Sequence, residues 1–90
     1  MMSNNWRQFR YQVQERDSAK LVAEYEADGM GHLAETEWRN RLKKSYPMKS
    51  AAKEFEYCLR NYGAARLRDF RLIDTKTGRV IHDHILEVSA

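Results

Sequence analysis

The chain has 90 residues, of which 42% are hydrophobic and 32% charged, and its formal net charge is +3. This apolar content excludes a disordered polypeptide, and the length predicts one domain, residues 1–90, with a single core. The single cysteine excludes an intramolecular disulfide, and no apolar run reaches the ~18 residues that a membrane-spanning helix needs. Because an apolar signal segment is also lacking, we expect a cytoplasmic protein with no membrane association.

A strand is predicted near the amino terminus. Residues 1–5 carry no pattern and are expected to be frayed. After them Phe9, Tyr11 and Val13 alternate with polar residues, as in a strand that buries one face. This alternation predicts a strand over residues 7–14.

The next segment, residues 18–28, predicts a short helix. Ser18 is a good capping residue, the segment is rich in helix-forming residues, and Gly29 provides a stop. A strand that pairs with residues 7–14 remains an alternative, because apolar residues also alternate here: Leu21, Ala23, Tyr25 and Ala27.

A second helix is predicted over residues 32–44. Leu33, Trp38 and Leu42 fall near one helical face, with charged residues around the remainder. Pro47 disfavours helix for the residue before it, so residues 45–48 are predicted to form a turn.

Residues 49–61 carry the clearest helical pattern in the chain. Gly63 follows where a C-cap glycine is expected. The helix therefore presents one apolar face to the core, formed by Ala51, Ala52, Phe55, Cys58, Leu59 and Tyr62.

The last third predicts a β-hairpin of residues 67–74 and 79–88, with Gly78 in the turn because glycine adopts a positive φ at no steric cost. Two registers remain open, and they differ by one residue in the partner of Arg71: His82 or Asp83. All elements together predict an α+β fold. Its antiparallel sheet would have about three strands, the amino-terminal strand plus the hairpin, packed on one side by two to three helices.

Charge is segregated along the chain. Residues 15–37 hold seven acids against two cations, and residues 38–53 hold six cations and no acid. Cations beside aromatic rings can bind phosphates and stack a base, although a solvated helix face is the common structural alternative. The candidate binding surface comprises Arg39, Arg41, Lys43, Lys44, Tyr46, Lys49 and Lys53.

A second cationic group surrounds the start of the hairpin and comprises Arg66, Arg68 and Arg71. Guanidinium groups suit the recognition of phosphates and carboxylates. The acidic segment 15–37 can pair with these cations, and it would repel a nucleic-acid backbone.

Few residues suggest metal binding or catalysis. His82 and His84 lie two apart on a predicted strand and therefore share a face, as two metal ligands must, but no third ligand stands at a fixed spacing. Cys58 lies on the apolar helix face, where a cysteine usually acts as a small buried hydrophobe. We expect no catalytic residue, no cofactor and no enzyme activity.

The short length, the two initial methionines and the hairpin sequence from Asp74 to Arg79 resemble small accessory proteins of bacteria and their phages. The charge pattern predicts a non-enzymatic binding or regulatory protein that engages a macromolecule, with a protein partner favoured and a homodimer through a free sheet edge left open. The alternatives are a nucleic-acid-binding protein that uses residues 39–53 and a metal-dependent or histidine-based activity at His82 and His84.

Overall fold

The computed structural model describes residues 4–86, without the side chains of residues 63–66. Short 3-10 helices lie at Asn5–Arg7 and Gly31–Leu33. The longer elements, in chain order, are β1 Tyr11–Asp17, α1 Ala19–Ala27, β2 Arg39–Asn40, α2 Met48–Arg66, β3 Arg68–Asp74 and β4 Val80–His84.

The four strands form one antiparallel sheet in the order β2-β1-β3-β4. β1 pairs with β3 along its whole length, from Tyr11 opposite Asp74 to Asp17 opposite Arg68. The sheet therefore has a Tyr11 end, where the hairpin turns, and an Asp17 end, where α1 begins. The α+β class is confirmed, and a fourth strand, β2, joins the roughly three that the sequence predicts.

One face of the sheet carries the core. Alternation along β1 and β3 directs Val13, Phe70 and Leu72 toward α2, which contributes Phe55 and Cys58 among other residues. The opposite face is largely polar and includes Gln14 and Arg16. α2 runs from the Tyr11 end of the sheet to the Asp17 end. Tyr46, which precedes the helix, pairs with Tyr11. Leu67 follows the helix, and its carbonyl accepts a hydrogen bond from the Ser18 amide.

The helix predicted over residues 18–28 is confirmed as α1, which excludes the alternative strand. The Ser18 hydroxyl accepts a hydrogen bond from the Leu21 amide at 3.2 Å, and Gly29 ends the helix with φ of 73°. No residue of α1 is buried. The helix packs mainly against the 3-10 helix Gly31–Leu33 and forms with it an arm, residues 19–33, that leaves the sheet at the Asp17 end.

The helix predicted over residues 32–44 is wrong. Its amino-terminal part holds only the 3-10 helix, and Arg39 and Asn40 pair with β1 as the edge strand β2. The Arg41 amide then donates to the Val13 carbonyl at 2.8 Å. The unpaired edge of β1 offers these backbone groups partners, so tertiary pairing overrides a helical spacing of apolar residues.

Several predicted boundaries also shift. The first strand is β1, residues 11–17 rather than 7–14, and Asn5, expected to be frayed, begins a 3-10 helix. Residues 1–3 and the end of the predicted second hairpin strand, residues 87–88, lie outside the described residues. α2 continues through Gly63 to Arg66, so Gly63 is not its C-cap. Leu67 makes the turn into β3 instead, with a positive φ of 55°.

The hairpin combines two registers. Arg71 pairs with Asp83, whereas Ile73 pairs with Val80, which leaves Ile81 as an extra residue in a β-bulge. Such a bulge shifts the register by one residue, and no local sequence pattern marks it. Gly78 adopts φ of 75° in the turn, as predicted.

Within residues 4–86, no helix is both long enough and apolar enough to cross a membrane.

Candidate interaction surface

Three segments meet at the Tyr11 end of the sheet: residues 4–11, 43–51 and 73–81. Tyr11 and Tyr46 exchange two backbone hydrogen bonds, and the Thr75 amide donates to the Arg10 carbonyl at 2.7 Å. We call the surface that these segments form the basic aromatic end.

Aromatic rings are exposed at the basic aromatic end, next to cations. Phe9 is 65% exposed and Trp6 is 46% exposed. The Lys44 ammonium lies 5.8 Å from the centre of the Phe9 ring and 5.5 Å from that of Tyr46, and the Arg7 guanidinium lies 4.5 Å from the Trp6 ring. Aromatic residues and arginine are enriched at protein interaction surfaces.

The exposure of Lys43 and Lys44 follows from the local backbone. Between the Gln14–Asn40 and Tyr11–Tyr46 pairings, β1 contributes two residues and the facing chain contributes five. The longer chain bulges outward. The buried side chain of Gln12 holds the bulge by accepting from the Leu42 amide at 3.0 Å and donating to the Leu42 carbonyl at 3.1 Å.

The charge at the basic aromatic end is almost wholly positive. Its three segments contain seven cations and one acid, Asp74. Arg10 binds both carboxylate oxygens of Asp74, at 2.9 and 2.6 Å. This hydrogen bonding lowers the pKa of Asp74 to about 2. Asp74 thus compensates Arg10 and leaves six cations without an acidic partner among the described residues: Arg7, Lys43, Lys44, Lys49, Lys76 and Arg79.

The start of α2 adds to this positive potential. Lys49 lies in the first turn, Lys53 follows one turn later, and the first turn contains no acid. Cations near a helix amino terminus oppose the helix dipole, and like charges four residues apart repel each other. Folding stability therefore does not explain why lysines stand at these two positions.

The predicted binding surface is divided by the structure. Lys43, Lys44, Tyr46 and Lys49 belong to the basic aromatic end, with Lys53 exposed beside it. Arg39 and Arg41 do not. Arg39 pairs with Glu35, and Arg41 pairs with Glu15 at 3.1 Å. A helix over residues 32–44 would place Arg39 and Lys43, four residues apart, on one ridge, but Arg39 lies in strand β2.

In the second cationic group, Arg68 is compensated by acids. Arg68 lies 3.2 Å from Asp17, 3.6 Å from Glu15 and 3.5 Å from Glu35. The side chain of Arg66 lies outside the described residues. Three arginines, Arg39, Arg41 and Arg68, therefore neutralise part of the acidic segment within the monomer.

Arg71 lies on the polar face of the sheet, beside Trp38. The guanidinium groups of Arg71 and Arg16 both lie 4.3 Å from the Trp38 ring, and Arg71 donates to the Gln14 side chain at 2.8 Å. Burial, together with the charge of Arg16, lowers the pKa of Arg71. Trp38 therefore packs against arginines and not in the core, where its spacing places it.

The residues that suggested chemistry, His82, His84 and Cys58, lie on the side of the sheet that packs against α2. His82 stacks on Phe55 with ring centres 6.2 Å apart, and His84 pairs with Phe70. Among residues 4–86, no group of three or more metal-ligating side chains comes together. Cys58 is fully buried, and burial raises the pKa of its thiol to about 12.

Sequence reasoning missed Trp6, Arg7 and Phe9. The alternation of Phe9 with Tyr11 and Val13 implies that all three share the buried face, but β1 begins only at Tyr11 and Phe9 lies in the bend before it. A signal was available in Trp6, because its neighbours in residues 3–8 are all polar and the tryptophan therefore belongs to no apolar pattern that would bury it.

Compared with known proteins, the chain matches no family model, no curated protein and no solved structure.

Proposed function

We propose that this chain is a non-enzymatic binding protein that engages an acidic macromolecular partner through the basic aromatic end. The observation that carries the proposal is the combination of six uncompensated cations with the exposed rings of Phe9 and Trp6 on one end of the sheet. Cations give attraction and steering, and aromatic rings give contact area.

Two costs support a role in binding. The exposed rings forgo the stabilisation of about 1.5 to 3 kcal/mol that burial of a large apolar side chain provides. The lysines at the start of α2 oppose the helix dipole. Both costs would be repaid when an acidic partner covers the surface.

Retention on heparin agarose, a polyanionic matrix, tests the proposal. The variant Lys44→Glu/Lys49→Glu reverses two charges at the basic aromatic end. The control Lys20→Glu/Arg60→Glu reverses two exposed cations elsewhere and has the same net charge. We expect the first variant to elute at distinctly lower salt than the wild type and the control to elute close to it.

Equal elution of the two variants would contradict the proposal, because retention would then follow net charge alone. Circular dichroism should show that both variants are folded. Residence in the cytoplasm and formation of a homodimer stay predictions, and the proposal needs neither.

A further inference from the structure

We infer that the partner of the basic aromatic end is single-stranded nucleic acid, which the surface binds by stacking bases on Phe9 and Trp6 and contacting phosphates with the adjacent cations. This inference rests on the proposed function and names its partner. It differs from the sequence-based alternative of residues 39–53 because Arg39 and Arg41 are engaged by acids.

The rings decide between nucleic acid and other acidic partners. Phe9 is more exposed than any other large hydrophobic residue in residues 4–86, and Trp6 is also exposed, so ring surface is open to a planar ligand. Each nucleotide carries a planar base and a phosphate. The base can stack on the ring of Phe9 or Trp6 while the phosphate contacts the cation beside that ring, Lys44 or Arg7. An acidic protein surface would satisfy the cations but offers no regular supply of planar groups.

The same rings decide between single and double strands. In a duplex the bases stack on each other, so their faces are not available to Phe9 or Trp6. In a single strand they are available, and stacking on an aromatic side chain is tolerant of sequence. We therefore expect little base preference.

The cations set the salt dependence. Each phosphate contact on a single strand contributes about −0.7 to the slope of log affinity against log salt. Six uncompensated cations limit that slope to about −4. Acids in the arm do not interfere directly, because the arm leaves the sheet at the Asp17 end.

The test is fluorescence anisotropy with a labelled 12-nucleotide oligothymidylate, an oligouridylate of the same length and a mixed-sequence 12-base-pair DNA duplex, each at 50 and 200 mM salt. We expect both single strands to bind more tightly than the duplex. Phe9→Ala should weaken single-strand binding by about 5-fold to 150-fold, the loss of one stacked base, without changing the salt slope. Lys44→Gln should reduce the slope by about 0.7.

The matched control is Tyr57→Ala, which removes an exposed ring on α2 outside the basic aromatic end. It should bind like the wild type. The inference would be overturned if single strands and duplex bound equally and Phe9→Ala had no effect. The proposed function would still be supported in that case if heparin retention depended on Lys44. Both the inference and the proposed function would be overturned if no oligonucleotide bound and if heparin retention were the same for Lys44→Glu/Lys49→Glu and its charge-matched control. Preference for oligouridylate or oligothymidylate would identify the strand as RNA or DNA.

Discussion

Two phenylalanines show how differently the same side chain is used in this fold. Phe55 is 7% exposed and packs among Val13, Cys58 and Leu72 in the core, whereas Phe9 is 65% exposed. Phe55→Ala should lower the free energy of unfolding by about 3 to 5 kcal/mol, because it leaves a cavity between α2 and the sheet. Phe9→Ala is the matched control, and its effect should stay within about 0.5 kcal/mol.

Urea unfolding of the two variants, followed by circular dichroism, measures both values. Similar losses would mean that Phe9 packs against the protein, and its proposed role as a stacking platform would fail with that result.

Asp74 makes the free energy of unfolding depend on pH in the acidic range. Hydrogen bonding to Arg10 lowers its pKa to about 2 in the folded protein, from an ordinary value of 3.8. The ionised, folded form is therefore favoured above the ordinary pKa, and this contribution is lost as pH falls from about 4 to about 2. Asp74→Asn should remove that part of the pH dependence, besides leaving the Arg10 charge uncompensated.

Unfolding free energies measured between pH 5 and pH 2 check the expectation. Glu24→Gln, which removes one exposed carboxylate of the arm, is the control for the change in net charge. A profile of Asp74→Asn as steep as the wild type would assign the acid sensitivity to other carboxylates.

At the scale of elements, α1 is less firmly anchored than α2. It buries no residue, while α2 contributes three buried residues to the core. Its stability depends on local interactions such as the Ser18 cap, whose hydroxyl is buried and bound to the Leu21 amide. Ser18→Ala should cost about 1 kcal/mol, which corresponds to about fivefold faster amide hydrogen exchange in α1.

Exchange in α2 and β3 should not change, because α1 packs mainly against the neighbouring 3-10 helix. Ser50→Ala, an exposed substitution in the first turn of α2, is the control and should leave α1 unaffected. If Ser18→Ala instead accelerated exchange throughout the sheet, α1 would be an integral part of the cooperative unit.

The sequence predicts the elements whose determinants are local. The cap at Ser18, the stop at Gly29 and the turn glycine Gly78 all lie where the structure has them. β2 could not be predicted in this way, because it consists of two residues whose backbone partners lie about 25 positions earlier in the chain. The bulge at Ile81 is likewise fixed by pairing across the sheet.

The candidate surface was predictable only in part. The cations Lys43, Lys44 and Lys49 are clustered in sequence, so composition found them. Arg41 looks identical in sequence, and only the fold shows that Glu15 and Glu54 engage it. The pairing of Tyr11 with Tyr46 brings Phe9 close to these lysines, and no local sequence pattern predicts that pairing.

At the scale of the whole molecule, uncompensated cations and the acidic arm lie at opposite ends of the sheet. The longest axis is 53 Å, against 23 and 22 Å for the other two. The basic aromatic end lies at the Tyr11 end, and the arm lies at the Asp17 end with exposed carboxylates that include Glu24, Glu26 and Asp28. Sequence proximity therefore overstates how strongly these acids oppose an acidic partner.

Distance and screening together determine how far the arm influences binding. The seven residues of β1 separate the two ends by about 20 Å. The Debye length is about 8 Å at 150 mM salt and about 30 Å at 10 mM. Neutralising the arm with Glu24→Gln, Glu26→Gln and Asp28→Asn should therefore change oligothymidylate affinity less than about twofold at 150 mM salt, and should raise it at 10 mM.

The matched comparison is Lys43→Gln/Lys44→Gln/Lys49→Gln, which neutralises three charges at the basic aromatic end and should weaken binding at both salt concentrations. Anisotropy titrations of the two triple variants give the answer directly. A large gain from the arm variant at 150 mM salt would mean that the acids lie within a few ångströms of the bound strand, and the arm would then fold over the basic aromatic end rather than extend from the opposite one.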